Sequence, residues 1–244
     1  MEKKGVIAMF MVLLAGTAVA QEQEGVITFE TRVNLHRSLP QEREELKSMM
    51  PEFRTSREQL FFNAEESLYR PVEEEEEEEF GGGSVRIKMR NPRVEIYTHK
   101  TNAVRLTQQE LMGKNYLIED SLKIAPWKFG TETKTILGYV CRQAYYTDES
   151  ENRKREVTAW FTQKIRPFLG PETFNSLPGA VLAIDVNNGE RVIVATDIEF
   201  RPLKKSEIKA PGTGSRISQI EFRKLMDARQ QQMRERGGNV MMRR

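Results

Sequence analysis

Alternation fixes the class of fold open to this chain. Ile27, Phe29, Thr31, Val33 and Leu35 fall on one side of a two-residue repeat, with polar or charged residues at most positions between them. A strand with one buried face uses this period, and a helix cannot. The habit returns at Gln59-Leu-Phe-Phe62, Ser67-Leu-Tyr-Arg70, 85–89, 94–97, 103–107, 115–118, 135–137, 139–146, 156–162, 181–185 and 191–198. Short strands at this density, joined by turn residues, predict antiparallel hairpins rather than parallel units with helical crossovers. Asn63-Ala-Glu-Glu66 reads as one turn. Asn187-Asn-Gly189 reads as another, because Asn-Gly tolerates the positive φ that tight hairpins demand. The expected architecture is mainly β: a single curved antiparallel sheet or incomplete barrel with a short inserted helix and a C-terminal helix.

Two segments break the period. Residues 40–50, rich in helix formers and stopped by Pro51, read as the short helix over 41–49. Ser218-Gln-Ile-Glu221 fits a capping box, from which a helix should run to Gly237-Gly238. Phe222, Leu225, Met226 and Met233 share a face of that helix, which is expected to cover an open edge or face of the sheet. The stripe is thin and lacks Trp, which argues against a helix lying on a membrane. Residues 73–79 are seven consecutive glutamates, followed by Phe80 and Gly81-Gly-Gly-Ser84. Like-charge repulsion and glycine entropy predict a flexible loop over 73–84. Its glutamates lack the interleaved order of a calcium loop.

The first residues read as an address. Met1-Glu-Lys-Lys leads into an apolar run over 5–15 and then Ala18-Val-Ala20, the pattern of an export signal cleaved after Ala20. The run is too short to span a bilayer. The chain therefore divides into a signal peptide over 1–20, an antiparallel β domain over 21–215, and a C-terminal helix with a basic tail over 216–244. The expected location is the periplasm, and the protein is not expected to be integral to the membrane. A net charge of +2 gives no cationic excess for nucleic acid. The single cysteine, Cys141, allows no internal disulfide, so burial alone must hold an exported fold together. Its alternating surroundings read as the inner face of a strand.

Catalytic motifs are missing. His36 and His99 stand far apart, without metal-ligand spacing. There is no G-x-S-x-G elbow, no P-loop and no dinucleotide fingerprint. No catalytic residue, metal ligand or cofactor is assigned. An envelope hydrolase using a carboxylate pair is the alternative from a different class.

Residues 160–184 differ from everything around them. Pro167, Gly170-Pro171 and Pro178-Gly179 punctuate a long connection that keeps Ile165, Phe168, Leu169, Phe174 and Leu177. Loops are normally polar, so a proline-stiffened apolar loop must pack over the core as a lid or present a binding surface. The candidate binding residues are Trp127, Trp160, Phe168, Phe174, Leu177, Pro178 and Gly179. Trp160, inside a strand, also reads as core packing.

Ser176-Leu-Pro-Gly-Ala-Val-Leu182 resembles the Gly-Leu-Pro-Gly-Leu-Ile motif of the GLPGLI family of exported Bacteroidetes proteins. The resemblance extends to Gly170-Pro171, Ala159-Trp-Phe-Thr162, Ile136-Leu-Gly-Tyr-Val-Cys141, Trp127-Lys128 and Leu60-Phe-Phe-Asn63 with Ser67-Leu-Tyr69. Ser176 replaces the first glycine, and Ala180-Val181 replaces Leu-Ile. The resemblance implies an envelope location beside outer-membrane transporter systems and one β-rich domain, and it carries over no catalytic residue. The resulting expectation is a non-enzymatic periplasmic binding or accessory protein that works with an outer-membrane transporter or envelope complex and takes an apolar ligand. A lipid or acyl-chain carrier and a structural subunit are the neighbouring readings.

Overall fold

The computed structural model describes residues 24–39, 47–48, 50–72, 78–80, 87–89, 93–149 and 154–241. The export signal and most of the helix expected over 41–49 lie outside these residues. Among the described residues, fourteen strands and two helices are formed. The strands are β1 (Gly25–Asn34), β2 (Phe53–Phe62), β3 (Glu66–Pro71), β4 (Glu78–Phe80), β5 (Ile87–Met89), β6 (Val94–His99) and β7 (Val104–Leu111). They continue with β8 (Lys114–Ser121), β9 (Lys128–Ile136), β10 (Tyr139–Asp148), β11 (Arg155–Thr162), β12 (Ala180–Val186), β13 (Arg191–Phe200) and β14 (Ser215–Ser218). The helices are α1 (Leu35–Ser38) and α2 (Gln219–Met241).

Twelve strands form one sheet in the order β14-β8-β7-β6-β3-β2-β1-β13-β12-β11-β10-β9, while β4 and β5 pair separately. Two antiparallel meanders therefore run outward from the central β1–β13 pair. Chain connectivity then forces curvature. Laid flat, the ten steps from β8 to β9 would cover about 48 Å. The connection between Ser121 and Lys128 reaches only about 24 Å when fully extended. The sheet must curl to bring its ends toward each other, and it stays open, as the incomplete-barrel reading expected.

Register places the core. Ile27 pairs with Leu60, and Leu60 pairs with Tyr69, so these side chains share a face with Phe29, Phe62 and Ile96. The same core takes in Val157, Ala159 and Phe161 of β11 and almost all of β12. Strand β12 is buried on both faces, which explains its unbroken apolar run. One of those faces is covered by the connection 163–179, whose Ile165, Leu169, Phe174 and Leu177 all belong to the core.

Local chemistry sets the turns as expected. Asn63 Oδ1 accepts from the amides of Glu65 (2.9 Å) and Glu66 (2.8 Å), closing the β2–β3 turn. Asn187 and Asn188 take φ of 53° and 51° before Gly189 at 90°. The capping box is formed, with Glu221 N donating to Ser218 Oγ at 3.2 Å and Ser218 N donating to Glu221 Oε2 at 3.0 Å.

The short helix after the first strand is α1, which forms before Pro40, where Asn34 caps it by accepting from Arg37 N at 3.0 Å. Two expectations change. Glu78–Phe80, expected in the acidic loop, is a strand because Ile87–Met89 supplies its partner. Residues 216–218, expected to belong with the C-terminal helix and basic tail, join the sheet with Ser215 as β14, parallel to β8. Helix α2 follows directly, and its buried Phe222 meets Tyr116 of β8 at 5.6 Å, while Leu225 and Met226 stay exposed. Among the described residues, no helix is long and apolar enough to cross a membrane.

Cys141 is fully buried on β10, and burial pushes its thiol up to about 11. The native protein should therefore react with a thiolate-specific alkylating agent at pH 8 about 100-fold more slowly than an unfolded control. Equal rates, followed by mass spectrometry, would refute the buried placement.

Candidate functional site

Four connections converge at one end of the core. The turn before β3, the β6–β7 turn, the segment 122–127 and the connection 163–179 enclose a cleft of about 230 Å³. Its floor comes from register. Phe62 pairs with Ser67, Ser67 with Thr98, Thr98 with Arg105 and Arg105 with Asp120, so these side chains form one row across five strands. The row begins in the apolar core at Phe62 and turns polar at Ser67. Ser67 and Thr98 are buried, and their hydroxyls have no hydrogen-bond partner among the described residues.

The back wall is Arg166 and Asn175, with exposures of 5% and 7%. Arg166 Nη2 donates to Glu66 O at 3.0 Å and Nη1 donates to Pro167 O at 3.2 Å. Its guanidinium lies over the Phe62 ring at 5.8 Å. These contacts fix the side chain without neutralising it. The Glu66 carboxylate is on the other face of β3, where it accepts from the Tyr97 hydroxyl. Burial lowers the Arg166 guanidinium to about 10, against the nearby Glu65 charge, so it stays cationic at neutral pH. The Asn175 amide has no hydrogen-bond partner among the described residues.

The remaining walls carry paired cations and apolar surface. Lys100 donates to Ala64 O at 3.1 Å and pairs with Glu65 at 3.4 Å. Lys123 shares Asp120 with Arg105, at 3.2 and 2.9 Å. Together the two cations hold the Asp120 carboxyl below its ordinary value against the opposing effect of burial. Phe168 (40% exposed) and Ile124 (78% exposed) form the rim. Phe168 is held at φ 55°, a conformation uncommon for a bulky residue and one that costs about 1–3 kcal/mol where the surroundings enforce it. The cleft is thus apolar at its mouth, polar at its floor and carries more cations than carboxylates.

The seven candidate binding residues separate in space. Phe168 lines the cleft. Trp127 is one step away: its Nε1 donates to Ser176 Oγ at 3.0 Å, and Ser176 lines the cleft. The same oxygen accepts from Ala125 N at 3.1 Å, so the residue that replaces the motif glycine ties 122–127 to the long connection. Trp127 also stacks edge-on against Tyr146 at 4.6 Å. Phe174 and Leu177 are core residues, and Gly179 is buried against Thr162, while Pro178 is exposed. Trp160 packs partly on the core beneath Lys134, whose ammonium is 5.9 Å from its ring. Arg166, Asn175, Ser67 and Thr98 are not among the residues the sequence singles out. The signal for the first two was available: they are polar residues embedded in an otherwise apolar connection.

Carboxylates also meet away from the cleft. Glu58 and Glu172 both act on the buried Tyr69 phenol, which burial and then these two charges push above its ordinary value. Each is already engaged, Glu172 by Arg191 and Glu58 by Thr31 (2.8 Å) and Ser56 (2.6 Å). Their geometry fastens the long connection to the sheet.

No protein-family description and no curated protein sequence matches the chain. Among solved structures it is similar to PNGF-II in two crystal forms. One shares 14% identity at a TM-score of 0.55 over 83% of this chain, and the other 16% at 0.54 over 83%. The chain spans only about a third of the length of those PNGF-II chains, 33% and 32%. At that identity the likeness establishes a shared fold.

Proposed function

We propose that this protein is an exported, non-enzymatic binding and accessory module of the cell envelope, acting beside an outer-membrane transporter or complex. The observation that carries the binding role is the cleft, where the buried Arg166 forms no ion pair among the described residues and its Nε has no hydrogen-bond partner there, beside Ser67, Thr98 and Asn175. A buried polar group costs stability when unpaired, so a fold that keeps one at an opening retains it for a ligand or bound water. The export signal and the resemblance to the GLPGLI family support the location and the transporter association.

Mild crosslinking in native cells, followed by purification and mass spectrometry, tests the reading. The expected result is a periplasmic protein beginning at Gln21, recovered with a component of an outer-membrane transporter. Recovery from the cytosol with Met1 retained would overturn it.

A further inference from the structure

The cleft's chemistry constrains its occupant, and the inference drawn from it rests on the binding reading above. At about 230 Å³ it falls below the ~300–1,000 Å³ typical of pockets for drug-sized ligands, so the occupant is small. The floor offers two hydroxyls and an amide, which can both donate and accept, and so it suits a ligand with several hydroxyl groups. The rim offers the exposed Phe168 ring and Ile124, which suit one apolar face. Glu65 is paired with Lys100 and Asp120 with Lys123, whereas Arg166 feels Glu65 only at a distance, forms no ion pair among the described residues and leaves its Nε without a hydrogen-bond partner there. A buried cation without a direct partner is costly unless a ligand supplies one.

We infer that the cleft takes a single anionic monosaccharide, a sugar acid or sugar phosphate, with its charge set against Arg166, its hydroxyls on Ser67, Thr98 and Asn175, and one ring face on Phe168. A hydroxylated pyranose meets each of these demands with one molecule.

The test uses the isotopically labelled protein and three probes: D-glucuronate, its neutral amide and D-glucose 6-phosphate. Nuclear magnetic resonance titration should shift backbone amides in 98–103, 122–124 and 166–176. The acid should bind about 10–100-fold more tightly than its amide, the range expected for a hydrogen bond between charged groups. Comparison of the acid with the phosphate identifies which anionic source fits, and preferential binding of either supports the inference. Arg166→Gln should abolish the preference for the acid over the amide. Because Arg166 also holds two backbone carbonyls, Asn175→Ala provides an independent variant, expected to weaken acid and amide alike by about fivefold. Equal affinity for acid and amide in the unaltered protein would overturn the inference and leave the binding role standing. Failure of all three probes to move cleft amides would also overturn it, while the crosslinking experiment judges the accessory role separately.

Discussion

Phe62→Ala is expected to destabilise the protein by about 4 kcal/mol, near the upper end for loss of a buried aromatic side chain. Phe62 is fully buried and meets Phe200 edge-on at 6.2 Å. The cavity left behind has little chance of filling. The residue opposite Phe62 on β1 is Gly25, which brings no side chain. A Cβ there would lie 2.3 Å from Glu199 O, so that backbone is already as close as it can be. The ring also supports the Arg166 guanidinium from below. Urea denaturation should therefore show a large drop in midpoint, and the surviving native fraction should lose the cleft's preference for an anion. A loss below about 1 kcal/mol would mean that the core end of the Phe62–Asp120 row collapses freely and that the cleft floor is not built on it.

Gly179→Ala carries the second large effect, about 3 kcal/mol. A Cβ at Gly179 would lie 2.2 Å from Thr162 O and 2.7 Å from Thr162 C, both backbone atoms at the end of β11. Neither can rotate aside, so the long connection must lift from the strand it closes against. Gly170 faces the same restriction, 2.1 Å from Phe174 O. Ser176→Gly gives the informative contrast. It restores the glycine of the family motif, yet it removes the acceptor for Trp127 Nε1 and Ala125 N and should cost about 2 kcal/mol. Tryptophan fluorescence should report the Ser176 variant strongly through Trp127. Thermal unfolding should rank Gly179→Ala as the more damaging change. A neutral Gly179→Ala would refute the close backbone approach.

Much of the fold was legible because its causes are local. Asn63 and Asn187-Asn-Gly189 act through their own side chains and dihedral angles, and Ser218 with Glu221 closes a bond within one helical turn. Alternation from Ile27 to Val33 records which face is dry, whatever strand pairs with it. Strand β14 was missed because Ser-Arg-Ile-Ser carries one apolar residue and no alternation. Its pairing with β8 depends on where the chain returns, and no local signal encodes that.

The candidate site divides in the same way. The connection 163–179 was marked by its apolar, proline-rich composition, and the structure does lay it against the core. Which of its residues face the opening was not readable. Phe174 and Leu177 turn inward, while Arg166 and Asn175 line the cleft, because the backbone bonds Phe168 N to Leu177 O (3.1 Å) and Val181 N to Leu169 O (2.8 Å) set the path of the chain.

Period, turn chemistry and capping act over a few residues, so the mainly β class, the hairpin turns, the C-terminal helix and the one connection unlike the others can be read from the residues alone. The order of the twelve strands, the curl that brings the two ends of the sheet together, and the meeting of Ser67, Thr98, Arg166 and Asn175 arise only on assembly. Those four residues come from three separate stretches of chain. Cross-strand register and the short reach of residues 122–127 place them in one cleft, and both are properties of the assembled sheet.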